Sequence, residues 1–286
     1  MTERILVGFD GSDTSMSAVA WATDEAARRG ASLHIVSTYQ VPVATDYYGI
    51  GIPSGYLAPE LFRDACVDQL QRALGVAHER HPEVGVDIEA LAGHAPDVLE
   101  QLSSSAAMVV VGSSGAGATK SFLLGSVCAA VLHRSPSPVV VVPTKLHDRA
   151  MSKIVVGVDG STFADDAVRW ATDEADRCGA HLDVVHAWSY LYERPDDGRD
   201  RVTTLADVDA AMVVERAVEL SRERGSGDVT GRVLEGGAVD ALIDASETSD
   251  MIVVGTRGRG GFRSMLFGSV AQHVATHASC PVAVIR

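Results

Sequence analysis

The sequence predicts an α/β protein with two tandem doubly wound domains, 1–145 and 151–286, each with a five-stranded parallel sheet and about four helices. Short apolar runs alternate with amphipathic runs in both halves, which is the pattern of a sheet covered by helices on both faces. The motif at 4–12, an apolar run that ends in Asp-Gly-Ser, recurs at 153–161. The 286 residues provide enough chain for two domains of ordinary size.

The two copies align with a nearly constant offset. Residue 4 aligns with residue 153, an offset of 149, and the shared Trp-Ala-Thr-Asp-Glu-Ala at 21–26 aligns with 170–175 at the same offset. The glycine-rich stretches further along the chain align at an offset of 143, so the first copy has six more residues between these landmarks. We expect the extra residues in the loop 40–59, which is rich in Tyr, Gly and Pro.

Each element of the first half has its own signal. The apolar run 5–9 predicts a buried strand, and the wholly apolar run 107–111 predicts a parallel strand covered on both faces. Residues 14–29 have apolar residues at helical spacing and precede Gly30, a residue type that commonly ends helices. The predicted strands are 5–9, 32–38, 84–91, 107–111 and 139–142. The predicted helices are 14–29, 59–80, 95–104 and 127–133.

The second half repeats this order of elements. The predicted strands are 154–158, 182–187, 229–234, 251–254 and 282–285. The predicted helices are 163–177, 205–224, 239–248 and 270–278. In a doubly wound sheet with right-handed crossovers, the ligand lies beyond the carboxyl ends of the strands, where the strand order reverses. We therefore expect the ends of the first and fourth strands of each domain to meet in one cleft.

A glycine-rich loop follows each fourth strand. Its skeleton is Gly112, Gly115, then Gly125-Ser126 after nine residues, and the same spacing recurs from Gly255. The loop precedes a predicted helix, whose free N–H groups and dipole favour a phosphate. Its glycines permit positive φ and close backbone approach. A simple helix N-cap after a flexible crossover is the alternative, but two copies at equivalent positions favour phosphate binding. The loop has neither the P-loop nor the dinucleotide fingerprint spacing.

Asp10 and Asp159 follow the first strand of each half and precede Gly-Ser. A carboxylate at this position can accept hydrogen bonds from ribose hydroxyls, as acidic groups do in dinucleotide-binding folds. The alternative is an Asx-turn that only starts the next helix. Ser12 and Ser161 suit helix capping better than contact with phosphate or a metal.

The bulk composition excludes several classes of protein. A formal net charge of −14 argues against a nucleic-acid binder. The sequence has no apolar run long enough to span a membrane and no signal-peptide pattern at its start. Its four cysteines are far apart and form no Cys-x-x-Cys pair, so we expect neither disulfides nor a zinc site, and a cytoplasmic location.

The motif Val-Gly-x-Asp-Gly-Ser at each first strand, together with Gly-x-x-Gly, nine residues and Gly-Ser after each fourth strand, resembles the universal stress protein family in its tandem form. The endings Val-Val-Gly-Thr-Arg-Gly-Arg-Gly-Gly-Phe, Leu-Phe-Gly-Ser-Val and Cys-Pro-Val-Ala-Val strengthen this resemblance, which covers nearly the whole chain. It implies a Rossmann-like, adenine nucleotide-binding fold of the ATP-binding branch. It also implies pairing of domains through the final strands, 139–142 and 282–285, and we expect a homodimer.

The resemblance implies that ATP, with or without Mg²⁺, binds at the candidate site of one or both halves. The resemblance implies that the ribose lies near Asp10 or Asp159, and that backbone near Thr38 or Ala187 holds the adenine. In the first half the candidate residues are Gly8, Asp10, Thr38, Gly112, Ser113, Ser114, Gly115, Ala116, Gly117, Gly125, Ser126 and Val127. In the second half they are Gly157, Asp159, Ala187, Gly255, Thr256, Arg257, Gly258, Arg259, Gly260, Gly268, Ser269 and Val270.

The two loops differ in charge. The second carries Arg257, Arg259 and Arg263, whereas the first carries Ser114 and, as its only cation, Lys120. Because a guanidinium can bind phosphate oxygens in a bidentate manner, we predict tighter triphosphate binding in the second half.

The expected function is a stress-response regulator or sensor that acts by nucleotide occupancy, with at most slow ATP hydrolysis. The rival is an ATP-consuming ligase or nucleotide hydrolase, for which the loop 40–59 with Tyr47, Tyr48 and Tyr56 is the candidate lid. A third hypothesis, purely structural halves, is disfavoured because both glycine skeletons are intact. No catalytic residue is assigned. His273 and His277, four residues apart, fit a helix surface better than a metal site.

Overall fold

The computed structural model describes residues 3–41, 59–115, 124–145, 150–188, 203–225, 227–258 and 267–286. The chain divides into two compact units, 1–144 and 145–286. Within the described residues each unit is an α/β domain with a five-stranded parallel sheet and four helices, so the predicted fold class is confirmed.

The first unit places its opening strand at the centre of its sheet. The strands are β1 (Arg4–Gly8), β2 (Ser32–Tyr39), β3 (Val86–Ala92), β4 (Met108–Gly112) and β5 (Val139–Val142). The helices are α1 (Asp13–Arg29), α2 (Pro59–Arg80), α3 (Ala95–Ser103) and α4 (Ser126–Arg134). The strands lie in the order β3-β2-β1-β4-β5 with parallel pairing throughout. The order reverses between β1 and β4, where a ligand cleft is expected.

The second unit has the same plan. Its strands are β6 (Lys153–Gly157), β7 (His181–Trp188), β8 (Val229–Glu235), β9 (Met251–Gly255) and β10 (Val282–Ile285). Its helices are α5 (Thr162–Cys178), α6 (Thr203–Arg224), α7 (Ala238–Ser246) and α8 (Ser269–His277). The strand order is β8-β7-β6-β9-β10, again parallel. β6 and β9 therefore flank the point of reversal.

Local sequence signals explain where the first helix of each unit begins and ends. Ser12 caps α1 by accepting the Ser15 N–H, and Ser161 caps α5 by accepting the Ala164 N–H. Gly30 ends α1 in the left-handed region at a φ of 60°. The predicted capping roles are therefore confirmed. A serine cap of this kind stabilises a helix by about 1 kcal/mol relative to alanine.

The longer connection of the first unit lies mainly between its second strand and second helix. Residues 40–58 separate β2 from α2, whereas the shorter stretch 189–202 separates β7 from α6. Most of the predicted loop 40–59, including its three tyrosines, lies outside the described residues.

The core is formed by the central strands and the helix faces that cover them. The valines of β4 and β5 are at most 3% exposed, which accounts for their uninterrupted apolar sequence. Burying each such side chain contributes about 1.5–3 kcal/mol. The core also contains two fully buried carboxylates, Glu25 and Glu174. Glu25 forms ion pairs with Arg28 and Arg29, and Glu174 pairs with Arg177.

Candidate functional site

A cavity of about 520 Å³ lies at the carboxyl ends of β1 and β4 in the first unit. Gly8 and Gly112, the last residues of these strands, both line it. The other predicted site residues that line it are Asp10, Thr38, Ser114, Gly115, Gly125, Ser126 and Val127. The cavity therefore collects residues that are more than 100 positions apart in the sequence.

The Asp10 carboxylate takes part in the turn that precedes α1 and also lines the cavity. Its Oδ1 accepts the Ser12 N–H at 3.0 Å and the Ser12 hydroxyl at 2.5 Å, which is the Asx-turn that starts α1. Its Oδ2 faces the glycine loop, since a β-carbon built on Gly115 lies 2.7 Å from it. The two interpretations of this aspartate are thus compatible, because each uses a different carboxylate oxygen.

Asp159 repeats this arrangement in the second unit. Its Oδ1 accepts the Ser161 N–H at 3.0 Å. A β-carbon built on Gly258 lies 2.3 Å from its Oδ2. The second glycine loop therefore lies against the aspartate of its own unit, as the first does.

The first glycine of each loop is required by close approach to a helix. A β-carbon on Gly112 lies 2.8 Å from the carbonyl carbon of Thr14, and one on Gly255 lies 2.8 Å from that of Phe163. These glycines, like Gly115 and Gly258, do not lie in the left-handed region. The close approach that these glycines permit in the structure is to the first helix of the unit, and the predicted use of positive φ at these positions is wrong.

The start of α4 presents backbone donors to the cavity. The Gly125 N–H donates to the Ser113 carbonyl at 2.9 Å, and the first helical acceptor is the Gly125 carbonyl, which receives the Ala129 N–H. The helix has no side-chain cap. The N–H groups of Ser126, Val127 and Cys128 thus lack acceptors within the helix. All three residues line the cavity, so the positive end of the helix dipole faces it.

The start of α8 has the same hydrogen-bond pattern. The Gly268 N–H donates to the Thr256 carbonyl at 2.8 Å, and the Gly268 carbonyl accepts the Gln272 N–H at 3.1 Å. No side chain caps this helix. Ser269 and Val270 are its first two residues, so their N–H groups also lack acceptors within the helix.

Ser113 and Thr256 anchor the loops rather than line a cleft. The Ser113 N–H donates to the Val142 carbonyl at 2.9 Å, and the Thr256 N–H donates to the Ile285 carbonyl at 2.8 Å. Each of their carbonyls accepts the glycine N–H at the start of the following helix. Ser113 is not among the residues that line the first cavity, and Thr256 is only 3% exposed. Their backbone groups therefore join the fourth strand, the fifth strand and the last helix of each unit.

Apolar side chains that the sequence did not single out form one wall of the first cavity. They are Phe9, Val36, Ala95, Leu99, Val111 and Leu124. Leu99 also explains Gly8, because a β-carbon there would lie 3.0 Å from the Leu99 Cδ1 atom. Ala95 and Leu99 lie in the predicted helix 95–104, and only the fold shows that they reach the cavity. Ser15 and Cys128 complete the lining.

The remaining predicted residues of the second unit lie at positions equivalent to those of the first. Gly157 ends β6, Gly255 ends β9, and Ala187 lies in β7 opposite Leu234 of β8. The Arg257 guanidinium lies 5.2 Å from the centre of the Phe163 ring. Four further predicted residues lie outside the described residues: Ala116, Gly117, Arg259 and Gly260.

The described side chains around the two loops offer few groups for catalysis. Burial raises the pKa of the Cys128 thiol, so it is held protonated and is a poor nucleophile. His273 and His277 stack on the surface of α8, and each Nδ1–H donates to a carbonyl of that helix. Within the described ranges no three His, Cys, Asp or Glu side chains are grouped to hold a metal ion. Membrane-spanning helices, which need about 20 apolar residues, are not found in the part of the chain that the structure describes.

Comparison with known proteins agrees with this architecture. The universal stress protein family matches residues 1–143 and 151–286. A universal stress protein from Mycolicibacterium smegmatis (strain ATCC 700084 / mc(2)155) is 33% identical over 296 residues, which cover 99% of this chain and 96% of that protein. The crystal structure of a universal stress protein from Archaeoglobus fulgidus DSM 4304 has a TM-score of 0.71 at 20% identity, covering 99% of this chain and 98% of that one. A universal stress protein from Archaeoglobus fulgidus, solved in complex with dAMP, is 26% identical over 48% of this chain and 100% of that one, with a TM-score of 0.38. The chain therefore belongs to the universal stress protein family.

Proposed function

We propose that this protein binds an adenine nucleotide, ATP, in each unit and acts in the stress response through nucleotide occupancy, as a regulator or sensor. The observation that carries this proposal is that one cavity is lined by both a carboxylate and an uncapped helix start. Asp10 and the N–H groups of Ser126 and Val127 line the same space. These are the groups that a ribose and a phosphate chain would use.

The shape and lining of the cavity suit a nucleotide. Its volume of about 520 Å³ lies within the range of roughly 300–1,000 Å³ typical of small-molecule sites. The apolar wall that includes Val36 and Leu99 suits a planar base, and Thr38 at the end of β2 supplies nearby backbone polar groups. The Gly115 and Gly125 positions keep the loop backbone close to the phosphate end. A nucleotide would thus meet apolar groups at its base and backbone donors at its phosphates.

A magnesium ion accompanying ATP would depend on the phosphates for its ligands. Mg²⁺ in nucleotide sites commonly keeps several waters and uses phosphate oxygens together with one or two carboxylates. Among the described residues that line the first cavity, Asp10 is the only carboxylate, and its Oδ1 already accepts two hydrogen bonds from Ser12. The residues present therefore fit a nucleotide with or without the ion.

The lining favours occupancy over turnover. Among the residues that the structure describes, those that line the first cavity include no His, Lys or Arg. Burial holds the Cys128 thiol protonated, and among the described lining residues no histidine is present to activate the hydroxyls of Ser15, Ser114 and Ser126. Fast hydrolysis or ligation needs a positioned base or nucleophile, so we propose at most slow ATP hydrolysis. The rival enzyme would gain support from a turnover above about 1 s⁻¹, the low end of ordinary enzymes.

The assembly and location of the protein are part of the same proposal. We propose that the protein is a homodimer in the cytoplasm. We also propose that it binds neither nucleic acid nor membrane. Its net charge of −14 disfavours binding to the phosphates of nucleic acids. Size-exclusion chromatography with light scattering would measure the mass in solution. A monomeric mass at all protein concentrations would contradict the homodimer.

The decisive experiment identifies the nucleotide that the protein carries. Freshly purified protein would be denatured, and the released small molecules would be identified by mass spectrometry. ATP, at up to two molecules per chain and with negligible turnover, is the expected result. A protein that releases no adenine nucleotide, and that does not bind added ATP in calorimetry, would contradict the proposal.

A further inference from the structure

The two units differ in how the first helix contacts the glycine loop. In the first unit the Thr14 hydroxyl donates to the Ser114 carbonyl. In the second unit the aromatic ring of Phe163 lies under the guanidinium of Arg257, 5.2 Å from the ring centre to Cζ. Thr14 and Phe163 occupy equivalent positions in α1 and α5, and Ser114 and Arg257 occupy equivalent positions in the loops. A neutral hydrogen bond in one unit is thus replaced by a cation on an aromatic ring in the other.

Arg257 lies where the phosphates of a bound nucleotide are expected. Its neighbour Thr256 accepts the Gly268 N–H at the start of α8. A β-carbon built on Gly268 lies 3.5 Å from the Arg257 Cα atom. On its other side, Gly258 contacts the Asp159 carboxylate, the proposed ribose ligand. The backbone of Arg257 therefore lies between the ribose end and the phosphate end of the second site.

The charge of Arg257 is available to a ligand. It is exposed, and within the described ranges no carboxylate forms an ion pair with it. The acidic residue in the first turn of α5, Asp165, is already paired with Arg216 at 2.5 Å. In the first unit the corresponding turn carries Asp13, an exposed carboxylate, and position 114 is a neutral serine. Among the described residues, the phosphate end of the second site is therefore more positive than that of the first.

We propose that Phe163 and Arg257 make the second site selective for nucleotides with several phosphates, whereas the first site binds adenine nucleotides with little regard to phosphate number. This inference rests on the proposed nucleotide binding. Arginine forms charge-assisted, often bidentate hydrogen bonds with phosphate oxygens, so its contribution grows with the charge of the phosphate chain. Phe163 is the positioning residue, because the ring holds the guanidinium over the loop before the ligand arrives.

The test measures the ratio of ATP affinity to AMP affinity at each site by isothermal titration calorimetry of the full chain. The variant Gly125→Glu blocks the first site and isolates the second, and Gly268→Glu does the reverse. We expect this ratio to be at least about tenfold higher at the second site, because one charge-assisted hydrogen bond increases affinity by about that factor. Equal ratios at the two sites would overturn the inference and leave nucleotide binding intact. Absence of both ATP and AMP binding from unmodified protein would instead overturn the proposed function, and the inference with it.

Two sets of variants separate charge from packing at the second site. Arg257→Ala should lower the ATP-to-AMP ratio about 10- to 100-fold, with AMP affinity nearly unchanged. Phe163→Leu keeps an apolar side chain without a ring and should lower the ratio about two- to fivefold, whereas Phe163→Trp should retain it. If Phe163→Leu and Phe163→Trp give the same ratio, the positioning role of the ring is wrong.

The converse exchange tests whether the contact is sufficient. Thr14→Phe combined with Ser114→Arg places the second unit's contact in the first unit. In the Gly268→Glu background this exchange should raise the ATP-to-AMP ratio of the first site several-fold. Ser114→Arg alone is the matched control for charge without the ring. An unchanged ratio in the correctly folded double variant, judged by near-ultraviolet circular dichroism, would contradict the inference.

Discussion

A β-carbon built on Gly115 lies 2.7 Å from Oδ2 of Asp10. Carbon and oxygen atoms that are not bonded to each other do not approach so closely, so only glycine lets the loop lie against the carboxylate. The same relationship recurs between Gly258 and Asp159, where the distance is 2.3 Å. In each unit the second glycine of the loop therefore sets the position of the aspartate that we assign to the ribose.

Gly115→Ala should weaken nucleotide binding at the first site about tenfold. The added methyl group displaces the Asp10 carboxylate, and a lost hydrogen bond to a charged group costs about 1.5–3 kcal/mol. Calorimetric titration with ATP in the Gly268→Glu background measures the effect. Gly75→Ala is the matched control, because Gly75 lies in α2 with no atom within 4 Å of its added carbon. Equal affinities in the two variants would contradict the role of Asp10.

Gly268→Glu should abolish binding at the second site and leave the first site intact. The substitution places bulk and a negative charge at the start of α8, where the uncapped N–H groups favour an anion. The expected stoichiometry falls to one nucleotide per chain. Gly268→Ala separates the two effects, because its methyl group meets the Thr256 carbonyl at 3.1 Å without adding charge. If Gly268→Glu still bound two nucleotides per chain, the assignment of the second site to the start of α8 would be contradicted.

Glu25→Gln should destabilise the first unit by about 3–5 kcal/mol. Glu25 is fully buried and binds Arg28 at 2.7 Å as well as Arg29, so the substitution removes a buried carboxylate that is paired with both guanidinium groups. Urea denaturation followed by Trp21 fluorescence measures the change. The background Trp170→Phe/Trp188→Phe leaves Trp21 as the only tryptophan of the chain.

The control for Glu25 is the neighbouring, more exposed pair of Asp24 and Arg80. Asp24→Asn removes an ion pair of 2.5 Å between side chains that are 25% and 36% exposed. Because solvent screens such pairs, the cost should be about 0–1 kcal/mol. If Asp24→Asn and Glu25→Gln shifted the unfolding midpoint equally, burial would not be the source of the Glu25 effect.

Cys128 should contribute a loss of stability at alkaline pH. Burial raises the pKa of its thiol in the folded protein, whereas the unfolded thiol titrates near 8.5. The stabilisation from the neutral thiol is therefore complete below about pH 8.5 and is lost as the pH rises and the unfolded state releases its proton. Between pH 8 and pH 10 this thiol should lower the free energy of unfolding by about 2 kcal/mol, at up to about 1.36 kcal/mol per pH unit. Urea denaturation at both pH values would compare Cys128→Ala with unmodified protein, and the variant should not show this part of the fall in the free energy of unfolding. If the free energies of unfolding of the two proteins changed equally with pH, the role of Cys128 would be contradicted.

The elements of the fold could be predicted from the sequence to within a few residues. The apolar run at 139–142 and the helix from Pro59 to Arg80 have the bounds that the structure shows. Elsewhere the bounds differ slightly, because the last residue of a strand depends on its neighbours. Phe9 was predicted to end the first strand, but β1 ends at Gly8 and Phe9 turns to line the cavity.

The buried pairing of Glu25 could not be predicted in the same way. Glu25 lies within a predicted helix, and the fold encloses its side chain completely. The helical periodicity of the sequence predicts which face of a helix a residue occupies, but it does not predict which arginine side chains contact that residue. The ion pairs with Arg28 and Arg29 follow from the packing of α1 against its unit.

The sequence by itself determined the repeat, the α/β class, the two aspartates and the glycine spacing, because these features depend on neighbours along the chain. Only the tertiary structure decided how they function together. It showed that position 112 requires glycine because the backbone of Thr14 lies close to it, and not because of a turn. It also showed that Leu99 lines the cavity. It also placed the Arg257 guanidinium on the Phe163 ring. Such contacts join residues about 100 positions apart, and they arise only when parallel strands bring the carboxyl ends of β1 and β4, or of β6 and β9, side by side.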